Sequence, residues 1–188
     1  MSGAARGNQT TVSLNEKTRQ VVRTWLPKLA GLFLFDLVWL SAVGGRDDWL
    51  ALTAILVALQ VILAIRSSEF NWTLYGILVL LGLALEATVV GIGILNFTGG
   101  FLPLWLILLW LGFVGMLMNT LSGLANRLGW AAVLGIASGP LTYAIGIRLG
   151  AAELFAPEWQ LWVIYAALWA VYMVIFAWLM PRVAKVAS

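Results

Sequence analysis

Two carboxylates interrupt long apolar runs in this chain: Asp36 in Leu32-Phe33-Leu34-Phe35-Asp36-Leu37-Val38-Trp39, and Glu86 in Leu83-Ala84-Leu85-Glu86-Ala87-Thr88. A carboxylate at the centre of a bilayer costs about 2.5–3.5 kcal/mol on insertion scales, so such a group faces a cavity or a partner. No Lys or Arg lies equally deep, which leaves a neutral acid or a long basic side chain reaching inward. Arg148 is the expected partner of Glu86, since both belong to the same half of the bilayer. The structural alternative is a carboxylic acid making one interhelical hydrogen bond. There is no Cys and no His. Thiol nucleophiles, disulfides and imidazole acid–base chemistry are therefore excluded, and no metal or cofactor is expected.

The segment Gly135 to Gly150 carries the densest pattern. Gly135/Gly139 and Gly146/Gly150 are small-xxx-small pairs that let helix backbones approach closely. Pro140 frees the carbonyl of Ile136, four residues back. Tyr143 and Arg148 add a hydroxyl and a fixed positive charge to the same span. Asn119, in Met118-Asn119-Thr120, is interhelical glue or a further polar site contact. Asp36, Glu86, Asn119, Tyr143 and Arg148 are thus the candidate substrate or proton-site residues, with none assigned as catalytic.

The elements that hold these residues follow from composition. Of 188 residues, 62% are hydrophobic and 10% charged, against about a quarter charged in soluble proteins. The apolar residues fall in blocks, so most of the surface must face something other than water. Spans are expected at about 26–45, 48–66, 72–96, 102–124, 129–149 and 159–180, each able to cross a core of roughly 30 Å. The expected fold is all-α, a polytopic bundle of six transmembrane helices spanning 25–181. Pro27, Pro103, Pro157 and Pro181 sit at expected helix ends, where a missing N–H costs little. Asn96 is expected to cap the third helix. Six spans also admit two three-helix repeats, faintly echoed by Ile65-Arg66 and Ile147-Arg148.

Orientation follows from Lys and Arg in the short loops. With the N-terminus inside, Arg6, Lys17, Arg19, Arg23, Lys28, Arg66, Arg127, Arg182 and Lys185 are cytoplasmic, and only Arg46 and Arg148 lie outside. Trp25, Trp49, Trp72, Trp105, Trp130, Trp159 and Trp178 fall at expected membrane–water boundaries on alternating sides, where indoles are favoured. Residues 1–24 form a cytoplasmic arm, either a basic interfacial helix started by a Ser13/Glu16 capping box or an irregular tail. Residues 182–188 form a cytoplasmic tail. The basic pI reflects this topology, and no nucleic-acid partner is expected.

From about Phe33 to Pro181 the chain resembles the bacterial inner-membrane family catalogued as domain of unknown function 2878. The stretches that carry the resemblance are Pro103-Leu104-Trp105 with Leu109-Trp110 and Asn119, then Gly139-Pro140-Leu141 with Tyr143 and Gly146, and Leu149-Gly150-Ala151. Trp39 and the stretch from Gly82 to Glu86 are weaker counterparts, with Glu86 standing where the family pattern has Asp. The resemblance implies a multi-pass inner-membrane protein with no assigned activity, and marks Glu86, Asn119, Pro140, Tyr143 and Arg148 as residues to examine.

Three functions are compatible with this pattern. One is a small transporter or permease component with an intramembrane carboxylate site, a homodimer because six short helices enclose little volume. Another is an intramembrane lipid-modifying enzyme or lipid-binding accessory protein, with a groove opening sideways into membrane lipids. The third is a non-catalytic subunit or scaffold.

Overall fold

The computed structural model describes residues 25–67 and 70–184. The N-terminal arm with Ser13 and Glu16, and the tail from Lys185, lie outside the described residues. Apart from one short ribbon and the connecting loops, the described residues are helical. Its helices are α1 (25–40), α2 (Leu50–Ile65), α3 (Trp72–Gly91), α4 (Leu104–Thr120), α5 (Leu128–Arg148) and α6 (Glu158–Ala184).

Helix α1 runs into a π turn at Ser41–Gly45 and a 3-10 turn at Arg46–Trp49, which lead into α2. Trp25–Ile65 is therefore one helical run of 41 residues, yet it is folded back on itself. Thr53 Oγ1 donates to Ser41 Oγ at 3.1 Å, whereas twelve residues of straight helix would separate them by about 18 Å. Val38 and Val57 also both pack on Gly112. This reversal lies at the expected boundary between the first two spans and is marked by Arg46, whose backbone leaves the helical region at φ 46°.

Local chemistry sets the other ends. Asn71 caps α3, its side chain accepting from Leu74 N–H at 3.0 Å. Pro103 precedes α4 and Pro157 precedes α6. Helices α3 and α5 end alike, with Gly93 and Gly150 both at φ +76°. In each, the next two amides close back onto the last turn: Gly93 to Val90 and Ile94 to Val89, then Gly150 to Ile147 and Ala151 to Gly146. This left-handed glycine stop ends a helix sharply. Each stop feeds a short strand, β1 (Leu95–Phe97) and β2 (Ala152–Leu154), paired antiparallel with Asn96 opposite Glu153.

Three expectations change here. The third helix stops at Gly91 rather than continuing to 96, and Asn96 belongs to the ribbon instead of capping a helix. Pro181 lies inside α6, which continues through Ala184. A unit of helix, glycine stop, strand and helix recurs in α3-β1-α4 and again in α5-β2-α6.

Successive helices alternate in direction, so the loops gather at two ends, and α2 packs in parallel on α4, with Val57 at Gly112 and Gln60 at Gly115. Arg46, the ribbon and Leu149 meet at one end, where the Arg46 guanidinium donates to the Leu149 carbonyl at 3.0 Å. At the other, Asn119 and Thr120 donate to the carbonyls of Pro27 and Lys28. The core is aromatic, with Trp110, Phe113, Trp169 and Tyr172 in mutual ring contact. The outward faces are apolar: Leu80, Phe33 and Trp130 are each about two-thirds exposed. Trp25, Trp49, Trp72, Trp130, Trp159 and Trp178 are exposed near helix ends. Trp105 is the exception, buried with its N–H donated to Thr98.

Candidate functional site

Glu86 lies on the buried face of α3 and is wholly enclosed. Three aromatic donors converge on its carboxyl. Trp110 Nε1 of α4 and the Tyr143 hydroxyl of α5 donate to Oε1, the former at 3.1 Å, and the Tyr165 hydroxyl of α6 donates to Oε2 at 3.2 Å. One acid therefore ties four helices together. Its neighbour on α3, Gly82, presses directly against the Trp110 ring; this position has no room for a Cβ, which is how α4 comes close enough to deliver the indole N–H.

Tyr143 is placed by the glycine face of α5. A Cβ at Gly135 would strike the Trp169 backbone, and one at Gly139 would strike the Trp169 ring. Helices α5 and α6 therefore approach to backbone contact, as small-residue interfaces permit. That approach stacks Tyr143 on Tyr165, ring centroids 3.6 Å apart and 23° from parallel. Pro140, inside α5, is buried on the same side.

Beside this cluster lies a cavity of about 420 Å³ between α1 and α4 on one side and α5 and α6 on the other. Its volume falls within the 300–1,000 Å³ range of small-molecule sites. The walls are almost wholly carbon, with Trp39, Trp110, Phe113 and Trp169 prominent, and Tyr143 also lines the space. The rim is formed by exposed residues, Leu32 and Asp36 of α1 and Leu134 of α5. These lie within the helices rather than at their ends, so the cavity opens sideways.

The candidate residues thus divide. Asp36 and Tyr143 reach the cavity, and Glu86 connects to it through the Tyr143 hydroxyl. Arg148 does not approach Glu86: it is exposed at the ribbon end of α5, and the carboxyl takes its hydrogen bonds from aromatic donors instead. Asn119 binds the Pro27 carbonyl at 3.3 Å and joins α4 to α1, away from the acid cluster. Gly146 lines the cavity, whereas Gly150 serves as a helix stop. Tyr165, Trp110 and Trp169 are participants that the sequence did not single out as partners of Glu86. For Tyr165 the usable signal is register: antiparallel α3 and α6 that pair Tyr172 with Leu78 also bring position 165 beside 86.

A bundle of this kind belongs to the class of all-helical proteins with membrane-length apolar segments: among the described residues four helical runs are long and apolar enough to cross a membrane, and Leu104–Thr120 is a shorter apolar helix. The family described as "Protein of unknown function (DUF2878)" matches residues 28–175, and the chain belongs to that family. No curated protein and no solved structure matches the chain significantly.

Proposed function

We propose that this is a multi-pass protein of a bacterial inner membrane that receives a small hydrophobic amphiphile from the bilayer into the cavity between α1 and α5, for transport or modification. The observation that carries this reading is the sideways-opening apolar cavity. A hydrophilic solute would find few polar partners there. A purely structural bundle would gain nothing from such a space, because unfilled volume forfeits packing contacts. The cavity lies within one chain, so a second copy is not needed to build it.

Six crossings with both termini in the cytoplasm remain the topology we favour. The reversal at 41–49 supports counting the helical run Trp25–Ile65 as two membrane segments. Helix α4, at 17 residues, is about 25 Å long and nearly spans a hydrocarbon core. Lys28, Arg66, Arg127 and Arg182 share one end, and Arg46 and Arg148 share the other.

Photolabelling in nanodiscs tests the cavity. A long-chain methyl ester bearing a diazirine should mark Leu109 and Ser138, and Gly146→Leu, which fills the cavity, should suppress that labelling. Labels confined to outward residues such as Ile55 and Leu80 would refute the reading.

A further inference from the structure

The two membrane-depth acids differ in what they have left to offer. Both Glu86 oxygens are occupied by Trp110, Tyr143 and Tyr165, and its carboxyl is closed off from the cavity. Asp36 is the reverse case. It lies on the cavity rim and is exposed, and it has no hydrogen-bonding or ionic partner among the described residues. Its depth is central, since Val38, two residues on, packs against Gly112 at the midpoint of α4.

Among the other polar groups on the cavity wall the hydroxyls are engaged, whereas the indole N–H groups of Trp39 and Trp169 are buried without a hydrogen-bond partner among the described residues. Ser138 and Thr142 donate their hydroxyls to the carbonyls of Leu134 and Ser138, both at 2.8 Å. Tyr143 donates to Glu86. Among the described residues no Lys or Arg lines the space, and Asp36 is the one charged residue that does. The cavity therefore presents one acceptor carboxylate, two unpartnered indole N–H donors and the aromatic rings of Trp39, Trp110, Phe113 and Trp169. A carboxylate at this depth calls for a positive partner, and indole and phenyl faces attract cations through their quadrupoles.

We propose that the ligand of this cavity is a hydrophobic organic cation, held by Asp36 through its charge and by the aromatic wall through its apolar body. This rests on the cavity reading above and names its ligand class. Anionic lipids are disfavoured by the same carboxylate, and a neutral hydrophobe would leave Asp36 without a counter-charge.

Tetraphenylphosphonium and tetraphenylborate, equal in shape and opposite in charge, provide the test. In nanodiscs of zwitterionic lipid, protection of Leu109 and Ser138 from the diazirine ester should require about tenfold less of the cation than of the anion, as expected for a charge pair shielded from bulk water. Asp36→Asn should abolish that preference and Asp36→Glu should retain it, with ester labelling preserved in both. Equal protection by the two ions, or a preference that survives Asp36→Asn, overturns the cation assignment while the ester labelling leaves the cavity reading standing. Absence of cavity labelling by the ester in the unmodified protein overturns both.

Discussion

Tyr143 and Tyr165 lie stacked between α5 and α6, and each gives its hydroxyl to a different oxygen of Glu86. A buried carboxyl that accepts from two phenols and an indole is a structural knot, because removing it strands three donors in a dry core. Glu86→Leu should therefore destabilise the protein severely, since each buried donor left without a partner costs about 1–3 kcal/mol. Glu86→Gln keeps one acceptor oxygen and should cost much less. Thermal unfolding in detergent should rank wild type above Gln and Gln above Leu. Equal midpoints for Gln and Leu would refute the knot.

The same cluster predicts coupling between α5 and α6. Tyr143→Phe and Tyr165→Phe each remove one donor, and the two hydroxyls converge on one carboxyl through its two oxygens. Residues within one hydrogen-bonding network show interaction energies of about 0.5–3 kcal/mol. The double substitution should accordingly depart from the sum of the single ones in the same unfolding assay. Strict additivity would mean that the two hydroxyls act independently.

Glycine positions on α5 should respond in a defined order. A Cβ at Gly135 meets the Trp169 backbone, which cannot rotate away, and one at Gly139 meets the Trp169 ring, which has some freedom. At Gly146 the nearest atom is Val43 Cγ1 at 3.9 Å, an ordinary contact. Overpacking in a close-packed interior costs about 1–3 kcal/mol. Alanine should thus be most damaging at 135, intermediate at 139 and nearly neutral at 146, read as the folded fraction after extraction.

Helix positions were legible in the sequence because blocks of apolar residues match the helices in length, with Pro103 and Pro157 at their edges. The small ribbon was not, since Leu95–Phe97 and Ala152–Leu154 are three-residue strands whose pairing depends on two distant glycine stops. For the site, charge was legible and partnership was not. Arg148 is close to Glu86 in depth, yet depth carries no information about which face of α5 meets α3. That face is set by Gly135 and Gly139 against Trp169, which turns Tyr143 inward and leaves Arg148 exposed. Sequence spacing placed Glu86 foremost among the acids. The tertiary contacts occupy it and leave Asp36 as the accessible one.

Gln60 offers a separate stability test. It is fully buried on α2 against Gly115 of α4, and neither its amide oxygen nor its nitrogen has a hydrogen-bond partner. An unpaired buried amide costs about 1–3 kcal/mol by protein mutational measures. Gln60→Met, similar in length and apolar, should raise the unfolding midpoint. A lowered midpoint would instead mean that the amide is satisfied by bound water, which the apolar replacement would expel.

Topology can be read with single cysteines, because the natural chain has none. Under six crossings, Asp47→Cys in the reversal and Glu153→Cys in the ribbon lie at the outer end, and both native side chains are exposed. A membrane-impermeant maleimide should modify both in spheroplasts. Gly123→Cys, between α4 and α5, should react only after permeabilisation. If the run Trp25–Ile65 crossed once, position 47 would be placed within the hydrocarbon and escape the reagent in either condition. Labelling of 47 and 153 from outside, with 123 protected, requires the chain to turn back at 41–49 and α4 to return it to the cytoplasmic side. The apolar, somewhat short α4 is the crossing most in question, and position 123 reports on it directly.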